Sequence, residues 1–228
     1  MTNNKSIFVI IPCYNETVVI RNTVSAVLEK GYSVVVVDDC SKDNSKKELA
    51  NLPVYYLRHR VNLGQGAALQ TGISFAIKKG GEYFVTFDAD GQHDSYDIDG
   101  MIKLIESSKT DIVFGSRFLS GSKTNVSGSR SFVLNVARYV NYLVSGILLS
   151  DAYNGLRLFN RKAADVLQLT ENKMAHATQI QMLVAKNKLT YSEYPNSIHY
   201  NEYSKGKGLK NLDGIKIFFE IFLHKIFN

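Results

Sequence analysis

Asp88 and Asp90, separated by Ala89 and followed by Gly91-Gln92-His93, are the residues best suited to chemistry in this chain. In extended backbone, positions i and i+2 project to one side, so two carboxylates can approach one cation or a metal-bound diphosphate. Hard oxygen ligands select Mg2+ or Mn2+, which keep several waters and bind through one or two carboxylates plus substrate phosphates. Gln92 can add a neutral oxygen or a hydrogen bond. A solvated turn whose aspartate caps the next helix has the same residues, and spacing alone leaves both readings open.

Three other polar strings have the same character: Pro12-Cys13-Tyr14-Asn15-Glu16, Asp38-Asp39-Cys40-Ser41 and Asn62-Leu63-Gly64-Gln65-Gly66. Asp38 and Asp39 follow four valines, and adjacent carboxylates at the mouth of a buried strand need donors. A ribose hydroxyl or a base N–H is one source; capping by Asp39 or Ser41 is the other. Asn62–Gly66 can hold phosphate on helix-terminal N–H groups, or its glycines can serve close packing. From Ile112 to Ser150 there are four basic residues (Arg117, Lys123, Arg130, Arg138) and no acid. That stretch suits an anionic acceptor or acidic lipid, or is a solvated positive face.

The elements that must position these strings alternate. Ile7–Ile11, Ser33–Asp38, Val54–Leu57, Tyr83–Asp88 and Ile112–Gly115 read as short strands, and the unbroken apolar run Val34–Val37 suits a strand covered on both faces. Ile20, Val24, Val27 and Leu28 share a helix face ended by Gly31. Ala67–Lys79 is a second helix, and Ser41 is the expected N-cap of a short one through Leu49. Strand–helix alternation predicts an α/β sandwich with right-handed crossovers. In such sheets ligands bind outside the carboxyl ends of the strands, where all four polar strings fall. Further on, Phe118–Ser131 reads as a long loop and Phe132–Leu149 as a helix. Leu156–Phe159 reads as a strand, His176–Asn187 as a helix, Leu189–His199 as a strand and Tyr200–Gly208 as a polar loop.

Composition bounds the answer. The 228 residues are 45% hydrophobic and 21% charged with three prolines, an ordinary folded chain rather than a disordered or fibrous one. Twenty-seven basic against 21 acidic residues leave +6, which favours phosphates or a membrane surface and does not indicate nucleic acid. Cys13 and Cys40 are too few for a disulfide scaffold or a zinc site and fit a reducing cytosol. The longest uncharged helical run, Tyr139 to Ser150, is well short of the about 20 residues a bilayer needs. The chain is expected to be cytoplasmic, and soluble or peripheral at a membrane.

Taken in order, IPCYNE (Ile11–Glu16), VVDDCS (Val36–Ser41), NLGQGAA (Asn62–Ala68), DADGQH (Asp88–His93), GSRF (Gly115–Phe118) and DAYNGLR (Asp151–Arg157) resemble the family 2 glycosyltransferases. The nearest branch is that typified by dolichol-phosphate mannosyltransferase and bacterial polyprenyl-phosphate glycosyltransferases. The resemblance implies a GT-A fold, a three-layer α/β sandwich with a mostly parallel mixed sheet. It implies a nucleotide-diphosphate sugar (UDP or GDP) as donor, held by Pro12, Tyr14, Glu16, Asp38, Asp39, Asn62, Gly64, Asp88 and Ala89. Mg2+ or Mn2+ would be held by Asp88, Asp90 and Gln92, and catalysis would rest on Asp90, Arg117 and Arg157. Arg117, Arg130, Asn154 and Gly155 would face the acceptor. Lys205 and Lys207, in the loop Tyr203–Gly208, would close over the donor diphosphate.

The departures from the pattern carry information. Gln65 stands where the family often has Lys, and His199-Tyr200-Asn201 stand where many lipid-phosphate transferases carry an Arg. Gln179 stands where sugar-acceptor relatives offer an acidic base, and Gln cannot take a proton. A sugar hydroxyl attacking an anomeric carbon needs a base, worth roughly 10²- to 10⁴-fold, whereas a phosphate monoester is already anionic. This favours a polyprenyl-phosphate acceptor over a sugar hydroxyl, unless Asp94, Asp97, Asp151 or His176 serves as base. A nucleotidyltransferase is disfavoured because Cys13–Glu16 lacks a Gly- and Arg/Lys-rich signature; a catalytically silent binding module stays open. Residues 1–208 are expected to form the transferase domain. Residues 209–228 are expected to form an amphipathic helix, with Ile215, Phe218, Phe219, Phe222 and Phe227 beside Lys210, Lys216 and Lys225. It would meet a membrane, the domain itself, a second subunit or a membrane-protein partner.

Overall fold

Val34, Val35, Val36 and Val37 are all fully buried, and they explain the architecture. Successive side chains of a strand point to opposite faces, so four buried valines in a row require cover on both sides. In the computed structural model, which describes residues 6–122 and 128–199 (128–133 by backbone alone), that cover is helical. Phe8, Ile10, Val35, Val37 and Phe159 join one core, and Val9, Ile11, Val34, Val36 and Leu158 the other. Each such side chain contributes about 1.5–3 kcal/mol on burial. A one-residue slip would send every side chain from one core into the other and break the packing of both, so the register is fixed.

The strands are β1 (Ile7–Cys13), β2 (Ser33–Asp38), β3 (Tyr55–Arg58), β4 (Tyr83–Thr86), β5 (Ile112–Ser116), β6 (Arg157–Asn160) and β7 (Tyr191–Pro195). They form one sheet in the order β3-β2-β1-β4-β6-β5-β7. All neighbours are parallel except β6, which runs antiparallel to both β4 and β5. The helices are α1 (Ile20–Leu28), α2 (Ser45–Glu48), α3 (Gln65–Lys78), α4 (Tyr96–Ser108), α5 (Gly128–Ser145), α6 (Arg161–Val166) and α7 (His176–Lys186). Leu69 and Ile73 of α3, Ala163 of α6 and Ile180 of α7 lie in the first core. Val24 of α1 and Met101 of α4 lie in the second. The expected three-layer, mostly parallel sandwich is therefore present.

The reversal of β6 matters for the site. Arg157 is its first residue and pairs with Thr86 and Phe114, so the segment before it arrives where β4 and β5 end. Leu156 and Leu158 point into one core and Phe159 into the other. Strand alternation therefore places Arg157 on the Phe159 face, toward α3 and α7.

Several expected boundaries are corrected. Ser41 does not cap a helix: α2 begins at Ser45 with Asn44 preceding it, because Ser41 N donates to Asp38 Oδ1 and its hydroxyl accepts from Asn15 N. The expected loop to Ser131 is shorter, since α5 already starts at Gly128; it stops at Ser145, before Gly146 at φ 78°. The strand expected over Leu189–His199 is confined to β7, with an isolated bridge between Ile198 and His93. Residues 200–208 and the appendage expected at 209–228 lie outside the described residues.

Candidate active site

β1, β2 and β4 end side by side, and side chains bind their loops together. Asp39 N donates to Cys13 O across the ends of β2 and β1 (2.8 Å). Asn15 adopts φ 56°, and the loop that follows is fastened to residues 41–45. Glu16 N donates to Ser45 Oγ, Thr17 N to Asp43 Oδ2, and Lys42 N to Asn15 Oδ1. Pro12 and Glu16 are half-buried in this loop, and Tyr14 is exposed on its rim. Burial pushes the Cys13 thiol up to about 12, so Cys13 is inert packing.

Asp38 and Asp39 are turned inward. Asp38 accepts Ser41 N and the Tyr56 hydroxyl. Asp39 accepts His59 Nδ1 (2.7 Å), Leu63 N (2.9 Å) and Gly64 N (2.6 Å). The donors expected from a ribose or base are thus supplied by the protein, with both residues at most 3% exposed. Asn62 Nδ2 joins them through the Asp39 carbonyl.

The Asn62–Gly66 string is likewise committed. Gly66 N and Ala67 N both donate to Asn172 O, so the first turn of α3 presents these amides to the chain rather than to a phosphate. The glycines are there for approach: a Cβ at Gly66 would sit 2.0 Å from Glu171 O, and one at Gly64 2.3 Å from Asn172 O. Both glycines are thus in close contact with residues 171–172.

Asp88 and Asp90 lie past the end of β4, and strand alternation does not place them, since residues 89–90 form a turn followed by Gly91 at φ 72°. Asp88 accepts Gln65 Nε2 on Oδ1 (2.9 Å) and His93 Nε2 on Oδ2 (3.2 Å). Burial opposes its ionisation, but the His93 hydrogen bond and the charges of His93, Arg157 and His176 outweigh it and lower its pKa. Asp90 accepts Gln92 N (3.0 Å); burial and the Asp88 charge push its carboxyl up to about 6. Two carboxylates repelling each other at a partly open edge, Asp88 being 30% exposed, are relieved by a divalent cation. Among the described residues no three or more His, Cys, Asp or Glu side chains gather as a closed cage. Mg2+ and Mn2+ need none when phosphates complete the shell. Asp90 has fewer protein partners than Asp88.

The segment 151–157 closes the other side. Thr86 Oγ1 donates to Gly155 O (2.6 Å), which lays the glycine against Asp88. Asn154 is 4% exposed and holds Asp151, Asn196 and Leu156 N, so it organises the loop. Arg117 grips Asp151 with two nitrogens, Nε to Oδ2 (2.6 Å) and Nη2 to Oδ1 (2.7 Å). The arginine expected on an acceptor phosphate therefore has its fork in a carboxylate, a bidentate geometry that a guanidinium matches well. Arg157 is 2% exposed and its Nη1 has no partner.

The structure thus brings Asp88, Ala89, Asp90, Gln92, Gly155 and Arg157 to one edge of the sheet. Arg117 and Asn154 stand beside them in a network of their own. Arg130 lies on α5, where the backbone alone is described, and Lys205 and Lys207 lie outside the described residues. His199 N donates to Gln92 O (2.9 Å), so the chain enters that final loop from the edge of the site. His93 and Gln65, expected only as members of their strings, hold the Asp88 carboxylate. Their only signal was position: one adjoins DADGQ, the other opens a helix.

Known proteins share this chain's sequence pattern and its fold. The family model described as Glycosyl transferase family 2 matches residues 8–167. An uncharacterized protein of Methanocaldococcus jannaschii is 33% identical over 99% of this chain and 94% of its own length. A UDP-N-acetylglucosamine–dolichyl-phosphate N-acetylglucosaminyltransferase of Methanococcus voltae is 32% identical over 98% and 97%. Among solved structures, glucosyl-3-phosphoglycerate synthase from Mycobacterium tuberculosis superposes with a TM-score of 0.67 at 15% identity, over 93% of this chain and 78% of that one.

Proposed function

The chain belongs to glycosyl transferase family 2, and on that premise we propose that it transfers a sugar, with inversion, from a uridine diphosphate sugar to the phosphate of a polyprenyl-phosphate lipid. Its fold is GT-A, as the resemblance implied. The relative from Methanococcus voltae is named for a UDP-sugar donor and a dolichyl-phosphate acceptor and aligns almost end to end, which supports both halves of the reading.

The observation that carries the acceptor is the state of the possible bases. Gln179 accepts Thr170 N and Glu171 N on Oε1 and donates to Thr170 Oγ1, so it stabilises the turn before α7. Asp151 is locked to Arg117. His176 gives Nδ1 to Lys173 O (2.7 Å), and burial followed by the Arg157 charge brings its pKa down to about 4. Asp94 accepts Tyr96 N and Asp97 accepts Ser197 N. An acceptor that arrives as an anion needs none of these.

A divalent ion on Asp90 and Asp88 would neutralise charge developing on the departing diphosphate. The chain's own work is to keep those carboxylates in place through Gln65, His93, Gln92 N and Gly155. We place the nucleotide along the loop Pro12–Glu16, above the inward-turned Asp38 and Asp39, with Lys205 and Lys207 reaching its phosphates. No helix among the described residues is long and apolar enough to cross a membrane; the lipid would be met at the surface, with residues 209–228 as the natural contact.

One observation favours a second reading, transfer to a sugar hydroxyl: Arg117, neutralised by Asp151, no longer offers its fork to an acceptor phosphate. Incubation with labelled UDP-sugars and either polyprenyl phosphate or an oligosaccharide separates the two. A lipid-linked monosaccharide supports the first, and a labelled glycan without lipid product overturns it.

A further inference from the structure

Arg157 is a buried cation with an unspent donor. It is 2% exposed and Nη1 has no hydrogen-bond partner. It feels the charges of Asp88 and Asp151 without pairing to either among the described residues. Burial draws its pKa down, only to about 10, so the guanidinium stays charged at neutral pH. Burying a charge without a partner is costly, and a donor left unmade carries its own desolvation penalty.

Each neighbouring carboxylate has its hydrogen bonds from other groups. Asp88 already holds Gln65 and His93; Asp151 already holds both nitrogens of Arg117 and Asn154 Nδ2. His176, the other titratable group nearby, is kept neutral and adds no negative charge. Arg157 acts on Asp88 through its charge alone, with no hydrogen bond between the two among the described residues. What remains unmatched beside the Asp88–Asp90 edge is one guanidinium donor, Arg157 Nη1.

We propose that Arg157 is a phosphate-binding residue whose Nη1 donates to a phosphate oxygen of a bound substrate. The inference rests on the reading of this edge as a transferase site. Two substrates bring that chemistry, the donor diphosphate and the acceptor phosphate monoester. Arginine suits the role because its fork matches phosphate geometry and it cannot lose its charge at working pH.

The test uses full-length protein and the variants Arg157→Met and Arg157→Lys. Binding of UDP with Mn2+ is measured by calorimetry, binding of a short-chain polyprenyl phosphate and its parent polyprenol by fluorescence, and the unliganded melting point in parallel. Losing a hydrogen bond to a charged group weakens binding about 10- to 100-fold. The expected result is that loss for one of the two phosphate ligands in both variants, unchanged polyprenol binding, and an Arg157→Met protein that melts at or above the wild type. Which ligand weakens identifies the phosphate. Wild-type affinity for both phosphate ligands in Arg157→Lys overturns the proposal, and that variant decides if Arg157→Met does not fold. Lipid-linked product formed by the wild type is scored separately. A protein that makes none, yet loses UDP affinity on Arg157→Lys, keeps the arginine assignment and loses the acceptor.

Discussion

Gly155 lies so close to Asp88 that a Cβ at 155 would sit 2.0 Å from Asp88 Oδ2. The atom in the way is the end of a side chain, so the fold can yield by moving the carboxylate. Gly155→Ala should therefore leave a folded protein whose Asp88 is pushed off Gln65 and His93. Misplacement of about 1 Å in such a site costs on the order of 100-fold in rate. Transfer kinetics alongside a thermal melt check this: a large loss of turnover with a near-normal melting point is expected. An unchanged rate would show that the position of Asp88 does not matter.

Asp90 sets a pH dependence. Its carboxyl is pushed up to about 6 by burial and by Asp88, and a metal requires the ionised form. Mn2+ affinity should be flat above pH 7 and fall about tenfold per unit below pH 6, as one proton competes for one site. Without metal the sign reverses for stability. A raised carboxyl stabilises the fold below its unfolded pKa near 4, and that contribution is lost as pH rises through 6. Melting curves from pH 4 to 8 with and without Mn2+ should diverge as pH rises from 4 to about 7 and stay a constant distance apart above that. Asp90→Asn should abolish turnover and remove the divergence.

Asp111 ties the start of β5 to its neighbours. It accepts Asn160 Nδ2, Lys162 Nζ, Thr190 N and Thr190 Oγ1. Burial is outweighed by these partners, Lys162 first, and the carboxyl drops to about 2. A depressed carboxyl stabilises above its unfolded pKa near 4 and loses that contribution as pH falls through 2. The shift corresponds to about 2 kcal/mol, an upper figure because Lys162 is 66% exposed. Asp111→Asn should cost no more than about this amount near neutrality in urea unfolding, and the difference from wild type should vanish near pH 2.

Asp151 and Arg117 form a buried pair, 1% and 10% exposed. Removing one partner leaves an uncompensated charge, which costs about 3–5 kcal/mol. Asp151→Ala should show a loss of that size in chemical denaturation. If Arg117 instead belongs to an acceptor phosphate, Asp151→Ala will be nearly neutral for stability and will change acceptor KM.

Much of this protein was determined by local pattern. The valine run 34–37 required a sheet covered on both faces, and glycines and apolar periodicity marked α1 and α3. The four polar strings fell at strand ends because a chain leaving a buried strand must meet solvent there. Local pattern also showed that Gln179 is no base, since that is a property of the residue type. The tertiary structure decided which polar groups answer each other. Asp39 serves Leu63 and Gly64, Gly66 makes room for Glu171, Arg117 is taken by Asp151, and Gln65 and His93 share Asp88. Those partners lie 5 to 105 positions apart in the chain, and only the antiparallel return of β6 sets Gly155 and Arg157 beside Asp88. A hydrogen bond depends on distance and direction at the scale of an ångström, which residue type and spacing along the chain do not encode until the sheet is assembled.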